Sequence, residues 1–159
     1  MPFIHVDYVL RVHDALNWQD IRPTEAGGDM RWLIRSAMRT MYPATGPFKC
    51  VTDTGLDDLL DRYFKEAPHM LTWGLRSAVL AYHLLPIMTV FVPLPAFLLP
   101  KTWQSKHADR LARHPIYLLR SLAIPIKMVA GLAWATDPDH RRALGMPPMG
   151  ADPGTWRTT

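Results

Sequence analysis

The chain has 159 residues, of which 48% are hydrophobic and 20% charged, with six tryptophans and one cysteine. That suffices for one domain's core but not for a dinucleotide-binding sheet plus a substrate domain, and it is too apolar for a disordered chain. The net charge of +4 comes from thirteen arginines and five lysines scattered against 14 acids; no basic tract or interleaved aromatic motif points to nucleic acid, and the lone Cys50 excludes an internal disulfide.

The first residues, Met1-Pro2-Phe3-Ile4-His5-Val6-Asp7, carry no basic n-region, long apolar run, small-residue cleavage site or twin-arginine pair, so no export signal is expected here. Residues 1–28 read as an N-terminal arm with one short helix around 6–16, ending in the turn-rich Pro23-Thr24-Glu25-Ala26-Gly27-Gly28. Residues 29–148 read as one irregular all-α domain of five or six helices. No stretch alternates with period two long enough for a sheet, and no repeat of about 20–50 residues is present.

The first helix of that domain is predicted from Met30, Leu33, Ile34, Ala37, Met38 and Met41 at helical spacing, capped by Asp29 and ended by Pro43. The second follows Thr54-Gly55-Leu56-Asp57, which has the form of a capping box with Asp in place of Glu, and buries Leu56, Leu59, Leu60, Tyr63 and Phe64. The third begins near Pro68 and runs through Leu71, Trp73, Leu75, Val79 and Tyr82 to about Leu85. Arg76 is its only charge, so it is expected to be central and covered on most sides.

Residues 86–100 are apolar and carry prolines at 86, 93, 95 and 100, which forbid a continuous helix; they are predicted to be an apolar loop. A short polar helix follows from Thr102 to about Arg113. Pro115 then opens a long apolar helix through Leu118, Leu122, Ile126, Val129 and Trp134, kinked at Pro125. Asp137-Pro138-Asp139 supplies the cap of a last helix, and Gly145 with Pro147 and Pro148 its stop. Residues 149–159 read as an extended tail.

Residues 77–100 contain no Asp, Glu, Lys or Arg, long enough for a membrane span, but the prolines would strand backbone carbonyls in hydrocarbon. The 115–134 segment carries Arg120 and Lys127, each costing about 2.5–3.5 kcal/mol near the bilayer centre. Neither is predicted to cross a membrane. The apolar 86–100 loop has three possible covers: the domain's own core, another chain, or a lipid surface.

Tests for chemistry in this chain are negative. Glu66 and His69 have the Glu-x-x-His spacing of di-iron helices, but Glu25 is the only other glutamate and Pro68 interrupts the pair. No two of the seven histidines form a convincing i, i+4 pair with a third ligand, and only His83 is expected to be buried. No nucleophile elbow or phosphate-binding glycine loop is present, and Asp29 would repel an anion at Gly27-Gly28. No catalytic, cofactor-binding or metal-ligating residue is predicted. A small enzyme using His83 or Asp137 in an apolar pocket stays as a lesser alternative.

The ordered series of helices ends in Trp134-Ala135-Thr136-Asp137-Pro138-Asp139-His140-Arg141-Arg142-Ala143-Leu144-Gly145-Met146-Pro147. From Asp29 to Pro148 it resembles the helical small-subunit family of glucose-methanol-choline-type flavin dehydrogenases, which includes the third subunit of membrane gluconate dehydrogenase, and the helical N-terminal domain of long-chain fatty alcohol oxidases. Ala135 and Met146 stand where that family has aromatic residues. The resemblance implies a non-catalytic accessory subunit with no cofactor of its own, bound to a large flavoprotein subunit that carries FAD and oxidises an alcohol or sugar. Carried onto this chain, it implies a partner-binding surface of Val90, Phe91, Leu94, Phe97, Leu98 and Leu99 in the connector with Trp134, Asp137, Pro138, Leu144 and Met146 in the C-terminal corner. The alternative is a peripheral membrane protein docking through residues 86–100. The expected location is cytoplasmic or membrane-associated, and periplasmic only if a partner carries the export signal.

Overall fold

The computed structural model describes residues 30–150, and their regular structure is helical, with one isolated antiparallel bridge between Thr45 and Phe48. The helix expected in the arm, the Asp29 cap and the tail beyond Gly150 lie outside the described residues. The fold is all-α, as the spacing of apolar residues predicts.

Helix α1 (Arg31–Met41) buries Ile34, Ala37 and Met38 on one face. Helix α2 (Leu56–Glu66) buries Leu56 and Leu60. Two ion pairs join them, Arg31 with Asp61 and Arg35 with Asp57, each at 2.5 Å. Both pairs are four residues apart and run in opposite order, so the two helices meet in opposite chain directions along a charged seam. The side chains are about half exposed, which keeps each pair at roughly 0.2–1 kcal/mol.

Helix α3 (His69–Leu84) is followed at once by the short α4 (Pro86–Thr89), then by a 3-10 turn at Ala96–Leu98 and helix α5 (Lys101–Ala112). Helix α6 (Tyr117–Ser121), helix α7 (Ala123–Thr136) and helix α8 (Pro138–Ala143) complete the described chain. The core sits where α1, α3 and α7 pack against one another: Ile34, Met38, Leu75, Val79, Tyr82, Ile126 and Ala130 are almost wholly removed from solvent there. Truncating Leu75 or Ile126 to alanine would cost about 2–5 kcal/mol through the cavity left behind. Gly131 of α7 leaves room for the Tyr42 side chain, whose hydroxyl would lie 3.2 Å from a Cβ at that position.

Four expectations need correction. Thr54 does not cap α2; its hydroxyl donates to the Val51 carbonyl at 2.7 Å, closing the 3-10 turn Val51–Asp53, while Asp57 turns outward to Arg35. Helix α3 is not covered on most sides. Thr72, Leu75, Ala78, Val79, Tyr82 and His83 form its buried face, and Met70, Trp73, Leu80 and Leu84 lie exposed on the opposite one. A domain this small supplies core contacts for one face only, however few charges the helix carries.

The 86–100 connector is not simply a loop. Pro86 begins α4, where its missing N–H costs nothing, Pro95 starts the 3-10 turn and Pro100 precedes α5. Helix α5 satisfies connector carbonyls: Gln104 Nε2 donates to Leu99 at 2.8 Å, and Arg110 Nη1 to Thr89 at 2.8 Å. The long apolar helix starts at Tyr117 rather than Pro115 and breaks at Leu122, three residues before Pro125, because Pro125 has no N–H for the Ser121 carbonyl.

Candidate functional site

The C-terminal corner is built around Asp137. Its Oδ1 accepts the backbone N–H groups of Asp139 at 2.9 Å and His140 at 3.1 Å, capping α8. At the other end, Gly145 takes φ +67°, and the N–H groups of Gly145 and Met146 return to the carbonyls of Arg142 and Arg141. Between the two caps His140 is buried, its ring packed at a tilt against Trp134, with centroids 4.7 Å apart, and edge-on at 5.5 Å to Phe48. Its Nε2 accepts the Lys49 N–H at 2.8 Å, and its Nδ1 donates to the Trp134 carbonyl at 3.0 Å, so a neutral ring with the proton on Nδ1 satisfies both bonds. Lys49 also pairs with Asp139, which holds the lysine above and the acid below its ordinary pKa.

These anchors fix what the corner shows. Leu144 and Met146 are exposed, as is Pro138, while Trp134 and Asp137 are half-buried. Two apolar side chains thus project from a short, doubly capped helix locked to the loop after α1.

The connector divides differently. Val90 and Leu99 are sealed in the domain's own core and present no surface to a partner. Leu94, Phe97 and Leu98 are half-buried, with Phe97 edge-on to Trp32 at 5.1 Å and to His83 at 5.5 Å. Of the six connector residues expected to meet a partner, Phe91 alone stands clear, 81% exposed and with φ +59°. It lines a cleft with α5 residues and does not belong to the corner. The two halves of the predicted surface are therefore built on different elements, the corner on α7 and the loop after α1, the connector on α1, α3 and α5.

The expectation that His83 alone is buried is too narrow, since His107 and His140 are buried as well. His107 sits on the core face of the otherwise polar α5. Its Nε2 donates to the Tyr82 carbonyl at 2.9 Å and its Nδ1 meets the Thr89 hydroxyl, tying α3, α4 and α5 together. Burial pulls its pKa down to about 4 against the opposing pull of the Tyr82 carbonyl. His83 donates through Nε2 to the Leu33 carbonyl at 2.9 Å and is likewise lowered by burial. Burial pushes the Tyr82 hydroxyl up to about 12. His83 and Asp137, the residues of the enzyme alternative, are both engaged in holding the fold. Among the described residues no three of His, Cys, Asp or Glu are grouped to hold a metal ion.

A further exposed apolar surface was not expected from the sequence. Besides the outer face of α3, Ile116, Tyr117, Leu118, Ile124, Met128 and Leu132 are exposed along α6 and α7, again opposite the buried face of α7. The signal in the sequence is that α3 and α7 each carry a single Lys or Arg and no acid, so apolar residues fall on more than one face, and in a small domain one side stays uncovered. Tyr117–Thr136 is also apolar and long enough to cross a membrane by length and composition.

The chain matches no family model, no curated protein and no solved structure.

Proposed function

We propose that this chain is a non-catalytic helical subunit that docks on a larger FAD-dependent oxidoreductase of the glucose-methanol-choline type and stabilises it. The observation that supports this reading is the construction of the C-terminal corner: two caps and a buried histidine hold α8 rigidly while Leu144 and Met146 are left in solvent. A pre-ordered apolar projection lowers the entropic cost of association, and covering it yields about 25 cal/mol per Å² less that cost. The class of partner is the one that the resemblance in the order of helices and the Trp134 to Pro147 signature implies. FAD and the hydride-abstracting chemistry belong to that partner, which oxidises an alcohol or sugar. The reading goes with a cytoplasmic or membrane-associated location, or with a periplasmic one if the partner carries the export signal.

Pull-down of the tagged full chain from its native cells tests this. A yellow co-purifying chain with a flavin spectrum is expected, and it should be lost with Leu144→Asp/Met146→Asp while the helical circular dichroism is unchanged. Retention of the same flavoprotein by the double variant, or the absence of any flavoprotein, contradicts the reading.

A further inference from the structure

The exposed face of α3 continues past the helix end. Leu84, Ile87 and Met88 are each at least half exposed and lead to Phe91. A bulky residue at φ +59° is strained, and here the ring gains little burial in return. Met88, Thr89 and Phe91 line an open cleft together with Asp109, Arg110, Arg113, His114 and Pro115. Directly after Pro115, Ile116, Tyr117 and Leu118 are all more than half exposed. The cleft thus combines exposed apolar side chains with two arginines, and an exposed apolar run follows its Pro115 directly in the chain.

The charges are arranged to suit an anionic surface. Arg113 is highly exposed and held by Asp109 at 3.0 Å, Arg110 is anchored through Nη1 on the Thr89 carbonyl, and Arg120 lies 5.5 Å over the Tyr117 ring. Three arginines against one aspartate give this corner a positive balance, matching the sign of the whole chain. The core of a protein–protein interface is depleted of charged residues. Cations set between apolar and aromatic tips instead match the boundary of a bilayer, where side chains enter the acyl region beside phosphates and amphipathic aromatics sit at the headgroup level. The buried face of α7 is occupied by α1 and α3, so the face left for lipid is the outer one, and Arg120 and Lys127 within Tyr117–Thr136 oppose a span.

We propose that the corner formed by Met88, Phe91, Tyr117 and Leu118 docks on an anionic phospholipid bilayer, with Arg110, Arg113 and Arg120 meeting the lipid phosphates. This corner is distinct from α8, and the inference does not rest on the identity of any protein partner.

Flotation of the purified full chain with phosphatidylcholine vesicles, with and without phosphatidylglycerol, tests it at low and high salt. The chain should float with the anionic vesicles, much less with the neutral ones, and less at high salt. Phe91→Ser/Leu118→Ser, both at exposed positions, should weaken partitioning at least about tenfold. Arg113→Gln should weaken it about fivefold on anionic vesicles only, and Leu144→Asp/Met146→Asp should leave it unchanged. Absence of flotation with anionic vesicles, equal and salt-independent flotation with both kinds, or full binding by the Phe91/Leu118 variant would overturn the proposal. So would selective loss of binding in the Leu144/Met146 variant.

Discussion

The ring of His140 accepts the backbone N–H of Lys49 at 2.8 Å, joining two points 91 residues apart in the chain. This bond and the Nδ1 bond to Trp134 connect the loop after α1 to the end of α7. His140→Ala would leave the part-buried Lys49 N–H and Trp134 carbonyl without this partner and open a cavity beside Phe48. The expected loss is about 2–4 kcal/mol, read as a lower urea midpoint with an unchanged slope. A loss below about 0.5 kcal/mol would mean that the corner is not held through this ring.

Stability should fall in mild acid. His107 is pulled down to about 4 in the folded protein from an ordinary 6.5, and His83 is lowered in the same direction, both chiefly by burial. The unfolded chain therefore binds more protons between those values, and stability rises with pH there. The contribution is complete above about pH 6.5 and is lost as pH falls toward 4; for His107 it is on the order of 3 kcal/mol. Urea titrations across this range should show the decline, and His107→Gln should flatten it. An unchanged slope in that variant would place the titrating group elsewhere.

Phe91→Gly should raise stability. A left-handed backbone costs a side-chain-bearing residue about 1–2 kcal/mol, and glycine returns part of that as unfolded-state entropy. With the ring mostly in solvent, a net gain of about 0.5–1 kcal/mol is expected, measured as a higher urea midpoint. Together with weaker vesicle binding, that gain would mark Phe91 as kept for contact rather than for folding. A clear destabilisation would show that the ring packs more than its exposure suggests.

Gly145→Ala tests the stop of α8. At φ +67° an alanine is strained although nothing obstructs its Cβ, so a loss of about 1 kcal/mol is expected. Gly145→Asn should lose less, because asparagine tolerates this conformation better. Equal stability of all three would mean that the turn is not formed in solution.

The legible parts of this fold are those set by neighbours in sequence. Ile34, Ala37 and Met38 announce α1 by spacing, and Asp137 with Gly145 marks both ends of α8, because periodicity and capping are local. What escaped depends on distant partners. Thr54 looks like a cap until the Val51 carbonyl is seen beside it. His107 lies in a polar sequence and is buried only because Tyr82 and Thr89 come to it from other elements. The exposure of Trp73 and Met128 was hidden for the same reason, since apolar composition says that a helix can be buried all round but not that enough protein exists to do so. Of the expected contact residues, Val90 and Leu99 are used by the core, whereas Phe91, Leu144 and Met146 remain free to meet something else.

Native mass spectrometry of the complex isolated under mild conditions decides whether this chain is a flavoprotein subunit. It should find the chain in a defined heteromer with a larger FAD-bearing chain, with slower hydrogen exchange across residues 134–146 in that complex than in the isolated chain. A stable monomer with no flavoprotein bound, and with residues 134–146 equally protected alone and in the cell extract, would contradict it.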